Sequence, residues 1–282
     1  MAVDFFVALP CAPKQHFGAG DCASGALDIL ERIKSKNRGD MIAQIVAKNG
    51  QDPATVKITV NGYDRDKRPI KKEVTLAELA AEAQPLEEQG AACATCPANL
   101  LGKPYGCVGC VNYPVPAAAE KWLLSRVQPF GSVGAFMCQE FMTDFKVDGQ
   151  PIRRMRKNGL FASPRGEEVV FKKSFFSKTS VTADQLLQTI LAAGDELNPG
   201  HCFGILLWLG AIKVDGKVPG TVADDRARIQ TLMGLQTRED KERHTALELG
   251  PPASNPDEEL FQKVVRALYV AWVHDVGVVV SA

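Results

Sequence analysis

The sequence predicts an α+β chain, with a mixed α/β N-terminal part, a tetracysteine metal-binding insertion and a mostly helical C-terminal half. Three observations lead to that class. Two β-favouring runs, residues 56–60 and 70–74, stand among helical segments without a regular β–α repeat. Between residues 93 and 110 two C-x-x-C pairs flank ten residues rich in Pro and Gly. Beyond residue 116 apolar side chains recur mainly at helical spacing. The expected divisions are residues 1–92, 93–116 and 117–282, the last holding one or two hairpins and packing on the first.

The apolar, β-favouring run Val3, Phe5, Phe6 and Val7 reads as a first strand. It does not read as a signal peptide, since no basic residues precede it, Asp4 interrupts it and Pro10 ends it. Residues 10–24 read as a glycine-rich loop, whose Gly18, Gly20 and Gly25 fit neither the dinucleotide fingerprint nor the P-loop. Ser24 is placed to cap a helix carrying Leu27, Leu30 and Ile33, with Gly39 as its stop. Residues 41–48 then read as a second helical piece capped by Asp40. The runs 56–60 and 70–74 pair as a hairpin, with Asn61-Gly62 opening its turn. Thr75 and Glu78 have capping-box spacing at the start of a helix that Pro85 should end or kink.

In the second half, residues 117–127 and 135–145 read as helices. An aromatic-bearing hairpin is expected around Val169-Val170-Phe171. Thr182 with Gln185 caps the next helix, ended by Gly194. The helix after Asn198-Pro199 is apolar nearly all round and is expected at the centre, with His201 in its first turn as a capping or surface residue. Residues 223–236 read as an amphipathic helix, and the charged residues 237–249 with the GPPASNP that follows as an exposed linker or mobile loop. A helix from Asp257 and a short strand near residues 276–280 close the chain.

The chain carries 33 Lys and Arg against 33 Asp and Glu, so no whole-molecule field draws it to nucleic acid or an anionic membrane. The longest apolar run after the N-terminus, residues 202–212, is about half of what spans a bilayer. A cytoplasmic protein with no membrane partner is expected, and in a reducing compartment C-x-x-C pairs favour metal over structural disulfides.

Cys93, Cys96, Cys107 and Cys110 are the candidate metal ligands. A C-x-x-C turn sets two sulfurs on one side of a tight loop, and a second turn completes a tetrahedron. Zinc is the first expectation; an iron–sulfur cluster is the alternative, because Pro97 follows Cys96 and gives no N–H to a sulfur. Four protein ligands close the coordination sphere, which fits a structural site that could supply about 10 kcal/mol of folding free energy. Most of the scattered Cys11, Cys22, Cys138 and Cys202 read as buried small hydrophobes.

One basic stretch, residues 153–178, interleaves cations with Phe161, Phe171, Phe175 and Phe176. Its Arg153, Arg154, Arg156 and Lys157 are candidate nucleic-acid contacts, with a solvated hairpin as the favoured account. The four histidines are scattered, and no G-x-S-x-G, H-E-x-x-H or P-loop motif occurs. The expected role is therefore an interaction or regulatory component of a complex, with a protein partner. An enzyme with its site away from the metal and an iron–sulfur electron-transfer or sensor protein are the alternatives.

Overall fold

The first and last strands of the chain pair with one another in a computed structural model, which describes residues 2–50, 52, 56–63, 69–99, 101–127, 140–173, 178–192, 196–214, 230–250 and 256–281. In chain order its elements are β1 (Ala2–Val7), α1 (Ala12–Phe17), α2 (Cys22–Lys48), β2 (Lys57–Tyr63), β3 (Pro69–Thr75), α3 (Leu76–Gln89) and a 3-10 turn (Gly90–Cys93). There follow β4 (Val108–Asn112), α4 (Ala117–Ser125), α5 (Gln150–Lys157), β5 (Glu168–Lys173), β6 (Lys178–Thr182), α6 (Ala183–Leu191), β7 (Glu196–Leu197) and α7 (Pro199–Trp208). The last are β8 (Ile212–Val214), α8 (Arg238–His244), β9 (Thr245–Leu247), α9 (Pro256–Val273) and β10 (Val278–Ser281). This is a mixed α and β chain, in keeping with the α+β class.

Contacts divide the chain into two units, Pro10–Gly106 and the combination of Met1–Leu9 with Cys107–Ala282. The sequence reading draws its boundaries at residues 92 and 116. The contacts draw theirs after Leu9 and inside the cysteine segment, at Gly106.

The two-segment unit is built on an antiparallel sheet in the order β4-β1-β10-β7. Its central strand is covered on both faces, since Val3, Phe5, Phe6 and Val7 are all buried. Phe5 lies directly over Gly109, where a Cβ would come 2.3 Å from the ring. That close approach explains the glycine within Cys107-Val-Gly-Cys110. The apolar helix α7 is buried as expected, with Cys202, Ile205 and Leu206 fully enclosed. It packs on α9, where Phe203 stacks on Trp272 with ring centroids 5.4 Å apart. The capping box at α6 forms as its spacing predicts: the Gln185 N–H donates to Thr182 Oγ1 and Gln185 Oε1 accepts from the Thr182 N–H.

Residues 237–249 are not a linker. Thr237 caps α8, and β9 pairs with β8. The Lys241 side chain is buried, donating to the Trp272 carbonyl at 2.9 Å and lying over its ring. A charged composition is compatible with docking because α8 buries Lys241 while Arg238, Glu239, Glu242 and Arg243 are exposed. The hairpin β5–β6 forms with a register shift between Val170 and Lys172. Residues 135–139, Gly194 and residues 223–229, where the sequence predicts two helices and a helix stop, lie outside the described residues.

In the Pro10–Gly106 unit the predicted loop contains α1, and the two predicted helices of residues 24–48 are one. Asp21, not Ser24, is the N-cap of α2, accepting from the backbone N–H groups of Ala23 and Ser24. Gly39 does not stop it: α3 packs on α2, and a Cβ at Gly39 would meet Leu79 at an ordinary 3.5 Å. Asp40 pairs with Lys36 one turn back instead of capping. Gly18 and Gly25 have a packing role, because a Cβ on Gly25 would fall 1.7 Å from the Lys14 carbonyl oxygen and one on Gly18 1.8 Å from that of Asp21. Those contacts seat α1 on α2. The hairpin β2–β3 pairs Lys57 with Thr75 through Tyr63 with Pro69, so Asn61 and Gly62 lie in the strand and do not open a turn. The Thr75–Glu78 capping box opens α3 as its spacing predicts. Pro85 neither ends nor interrupts it, since Leu86 beyond it is buried and the helix reaches Gln89. No helix among the described residues is long and apolar enough to cross a membrane.

Candidate metal centre

The first C-x-x-C is a hydrogen-bonded turn. α3 runs into the 3-10 turn ending at Cys93, and the Tyr105 hydroxyl donates to the Leu86 carbonyl at 2.7 Å, satisfying an acceptor of the last helical turn. The Cys96 N–H donates to the Cys93 carbonyl at 3.2 Å and the Asn99 N–H to the Cys96 carbonyl at 2.9 Å, so two successive turns carry Cys93 and Cys96. Asn99 braces them, its Nδ2 donating to the Cys93 carbonyl at 2.9 Å. Its Oδ1 is buried and accepts no hydrogen bond from the described residues. That oxygen sits over Gly106, where a Cβ would come within 2.1 Å. Cys93 is buried and Cys96 half-buried.

In the second C-x-x-C, Cys107 lies in the turn that precedes β4 and Cys110 within that strand. The Val7 N–H donates to the Cys107 carbonyl, continuing the β1–β4 ladder back to the residue before β4. Cys107 is buried and Cys110 exposed, with the Cys110 Sγ 3.7 Å from Asn112 Oδ1. Among the described residues, no three Cys, His, Asp or Glu side chains are gathered so as to hold a metal ion. The structure thus builds one of the two turns that the spacing predicts.

Of the remaining cysteines, Cys202 is the buried small hydrophobe expected. Burial pushes its thiol up to about 12, and its Sγ lies 3.6 Å from the Leu197 carbonyl. Cys138 lies outside the described residues. Cys11 and Cys22 are half-buried at the starts of α1 and α2, not core residues.

The four basic candidates separate on α5. Arg153, Arg154 and Lys157 are exposed, whereas the Arg156 side chain is 3% exposed. Its guanidinium is gripped by both Glu120 oxygens, by Asp184 Oδ1 at 2.7 Å and by the Ser163 carbonyl at 2.8 Å, and lies over the Phe161 ring. Burial works against the charge, but hydrogen bonds to Glu120 and Asp184 outweigh it and hold the guanidinium above its ordinary value. Arg156 is therefore an interior clamp joining α4, α5 and α6, with no donor facing solvent for a phosphate. Arg153 is drawn the same way, donating to the Asp148 carbonyl and lying 3.7 Å from Asp184. Sequence reading missed the clamp because Glu120 and Asp184 lie 36 and 28 residues away along the chain.

His201 completes a capping box with Asn198 and is buried, its Nδ1 accepting from the Asn198 N–H at 3.3 Å. Its Nε2 is buried without a partner among the described residues, against the rings of Phe141 and Phe145. Burial lowers its imidazole below the ordinary value. It caps, as the sequence reading holds, but from the interior and not from the surface.

No family model matches the chain, and neither a curated protein nor a solved structure matches it.

Proposed function

We propose that the chain is a structural metal-binding protein, with zinc held by thiolates of Cys93, Cys96, Cys107 and Cys110, and that it serves as an interaction or regulatory component of a complex in the cytoplasm. One observation carries the reading: the Cys93–Cys96 segment is a hydrogen-bonded double turn, braced by Asn99, with two thiols three residues apart. The buried, unpaired Asn99 oxygen beside it adds a further acceptor in the same loop. All-thiolate ligands favour zinc or an iron–sulfur cluster over magnesium or calcium, which take oxygen. Four protein ligands leave no open coordination position for a substrate, so the metal stabilises a surface and the role is recognition of a protein partner.

The test is metal analysis of protein purified under reducing, anaerobic conditions, paired with the Cys96→Ser variant. Zinc in the wild type and its loss in the variant support the reading. Iron with sulfide and visible absorbance would replace zinc by a cluster on the same residues. Protein that neither retains nor takes up metal would end the metal reading.

A further inference from the structure

The described residues expose five large hydrophobic side chains, Leu27, Met41, Ile45, Phe145 and Met233, and three of the five lie on α2. Met41 is 57% exposed and Ile45 51%. Four residues apart on one helix, the two stand side by side across one turn. Packing fixes where that pair points. Val46 is buried, and Gly39 turns toward Leu79 of α3, so Met41 and Ile45 fall on the solvent side of α2. Arg38 precedes Met41 by three residues and Lys48 follows Ile45 by three, which sets a cation at each end of the apolar pair. The carboxylates within α2 are taken up by its other cations: Asp28 by Arg32 at 2.7 Å, Glu31 by Lys34 at 2.9 Å and Asp40 by Lys36 at 3.1 Å. Arg38 and Lys48 are left without an ion pair among the described residues.

An apolar pair bracketed by two uncompensated cations is complementary to apolar side chains flanked by carboxylates. A second copy offering the same face would set Arg38 and Lys48 against cations, with no acid on the face to offset them. An anionic bilayer takes up a helix along an extended apolar face, whereas this side of α2 offers one apolar pair. A contact one helical turn long is what a single facing amphipathic helix fills. We propose that this face of α2 docks an acidic amphipathic helix of a protein partner, whose apolar side chains cover Met41 and Ile45 and whose carboxylates meet Arg38 and Lys48. This rests on the reading of the chain as the interaction component of a complex, and involves none of the cysteines.

The probe is a fluorescein-labelled synthetic helix of about 18 residues, with leucines along one face and glutamates beside them. It is compared with the same peptide carrying lysine for glutamate, and binding to the reduced full-length chain is read by anisotropy. The acidic peptide should bind, less tightly as salt is added, and the basic one should not. Met41→Glu and Arg38→Glu should each weaken binding by about tenfold or more, the scale of an interface hot spot. Ala47→Gln, at an exposed position on another side of α2, should bind like wild type. Melting followed by circular dichroism checks that each variant is folded, and the comparison of the two peptides needs no variant. No binding of the acidic peptide, or equal binding of the basic one, overturns the proposal. Wild-type affinity in Met41→Glu overturns this surface and leaves an interaction role elsewhere on the chain standing. Phosphatidylserine vesicles that bind wild type but not Met41→Glu would give the face to a membrane, and a dimer that Met41→Glu dissociates would give it to a second copy; either result overturns the proposal. Zinc content of the same samples keeps the metal reading separate, since zinc-loaded protein that ignores the acidic peptide loses the docking surface alone.

Discussion

Arg156 shows how a surface-looking residue becomes interior. Its planar guanidinium matches two carboxylates and a carbonyl at once, an arrangement that Lys could not reproduce. Removing one partner leaves a buried charge exposed to no solvent, so Glu120→Ala should cost about 3–5 kcal/mol in urea unfolding. A change within experimental error would show that the clamp is dispensable. His201 gives a second prediction at this scale. Its folded-state value lies below the ordinary one, so on acidification the unfolded chain takes the proton first. Its contribution is fully present above the ordinary imidazole value, about 6.5, and is lost as pH falls through the depressed folded value. His274, lowered by burial and by Arg238 against Glu242, contributes in the same direction. Because Gln suits the third helical position of a capping box, His201→Gln should keep the cap and flatten part of the fall in melting temperature below neutral pH. An unchanged slope would remove His201 from the account.

At the scale of elements, glycines decide how α1, α2 and α3 approach one another, and two substitutions should act in opposite directions. Gly25→Ala forces a Cβ into the Lys14 carbonyl, and a backbone atom cannot step aside as a side-chain tip can. A loss of about 3 kcal/mol is expected by denaturant unfolding, at the upper end of overpacking costs. Gly39→Ala meets only Leu79 at van der Waals distance in the middle of a helix, so it should stabilise by about 0.5–1 kcal/mol. The same positions mark where the sequence was legible and where it was not. The capping boxes at Thr75–Glu78 and Thr182–Gln185 were readable because their hydrogen bonds close within three residues. Gly39 was misread as a stop because a glycine that admits a neighbouring helix looks, in one dimension, like a glycine that ends one. Residues 237–249 were misread because Lys241 docks on Trp272, a contact spanning 31 residues that charge composition does not reveal.

At the scale of the whole molecule, the α+β class was legible from periodicity, whereas the pairing of β1 with β10 and the division at Gly106 depend on contacts between distant parts of the chain. The candidate site divides likewise. The Cys93–Cys96 turn follows from local spacing and forms. The second pair does not form a turn, because Val108 onward is drawn into a sheet by β1. Cys11, one of the scattered cysteines, is half-buried at the start of α1 because that segment is a helix packed on α2, where the sequence reads as a loop. A metal at these thiols would act on stability as well as recognition, since binding to the folded chain alone adds to its unfolding free energy.

The most direct measurement is zinc and iron content by elemental analysis of anaerobically purified wild-type protein, with its visible spectrum. The account predicts about one zinc per chain and no colour. Protein that is folded and free of both metals, and stays so after incubation with zinc, would contradict it.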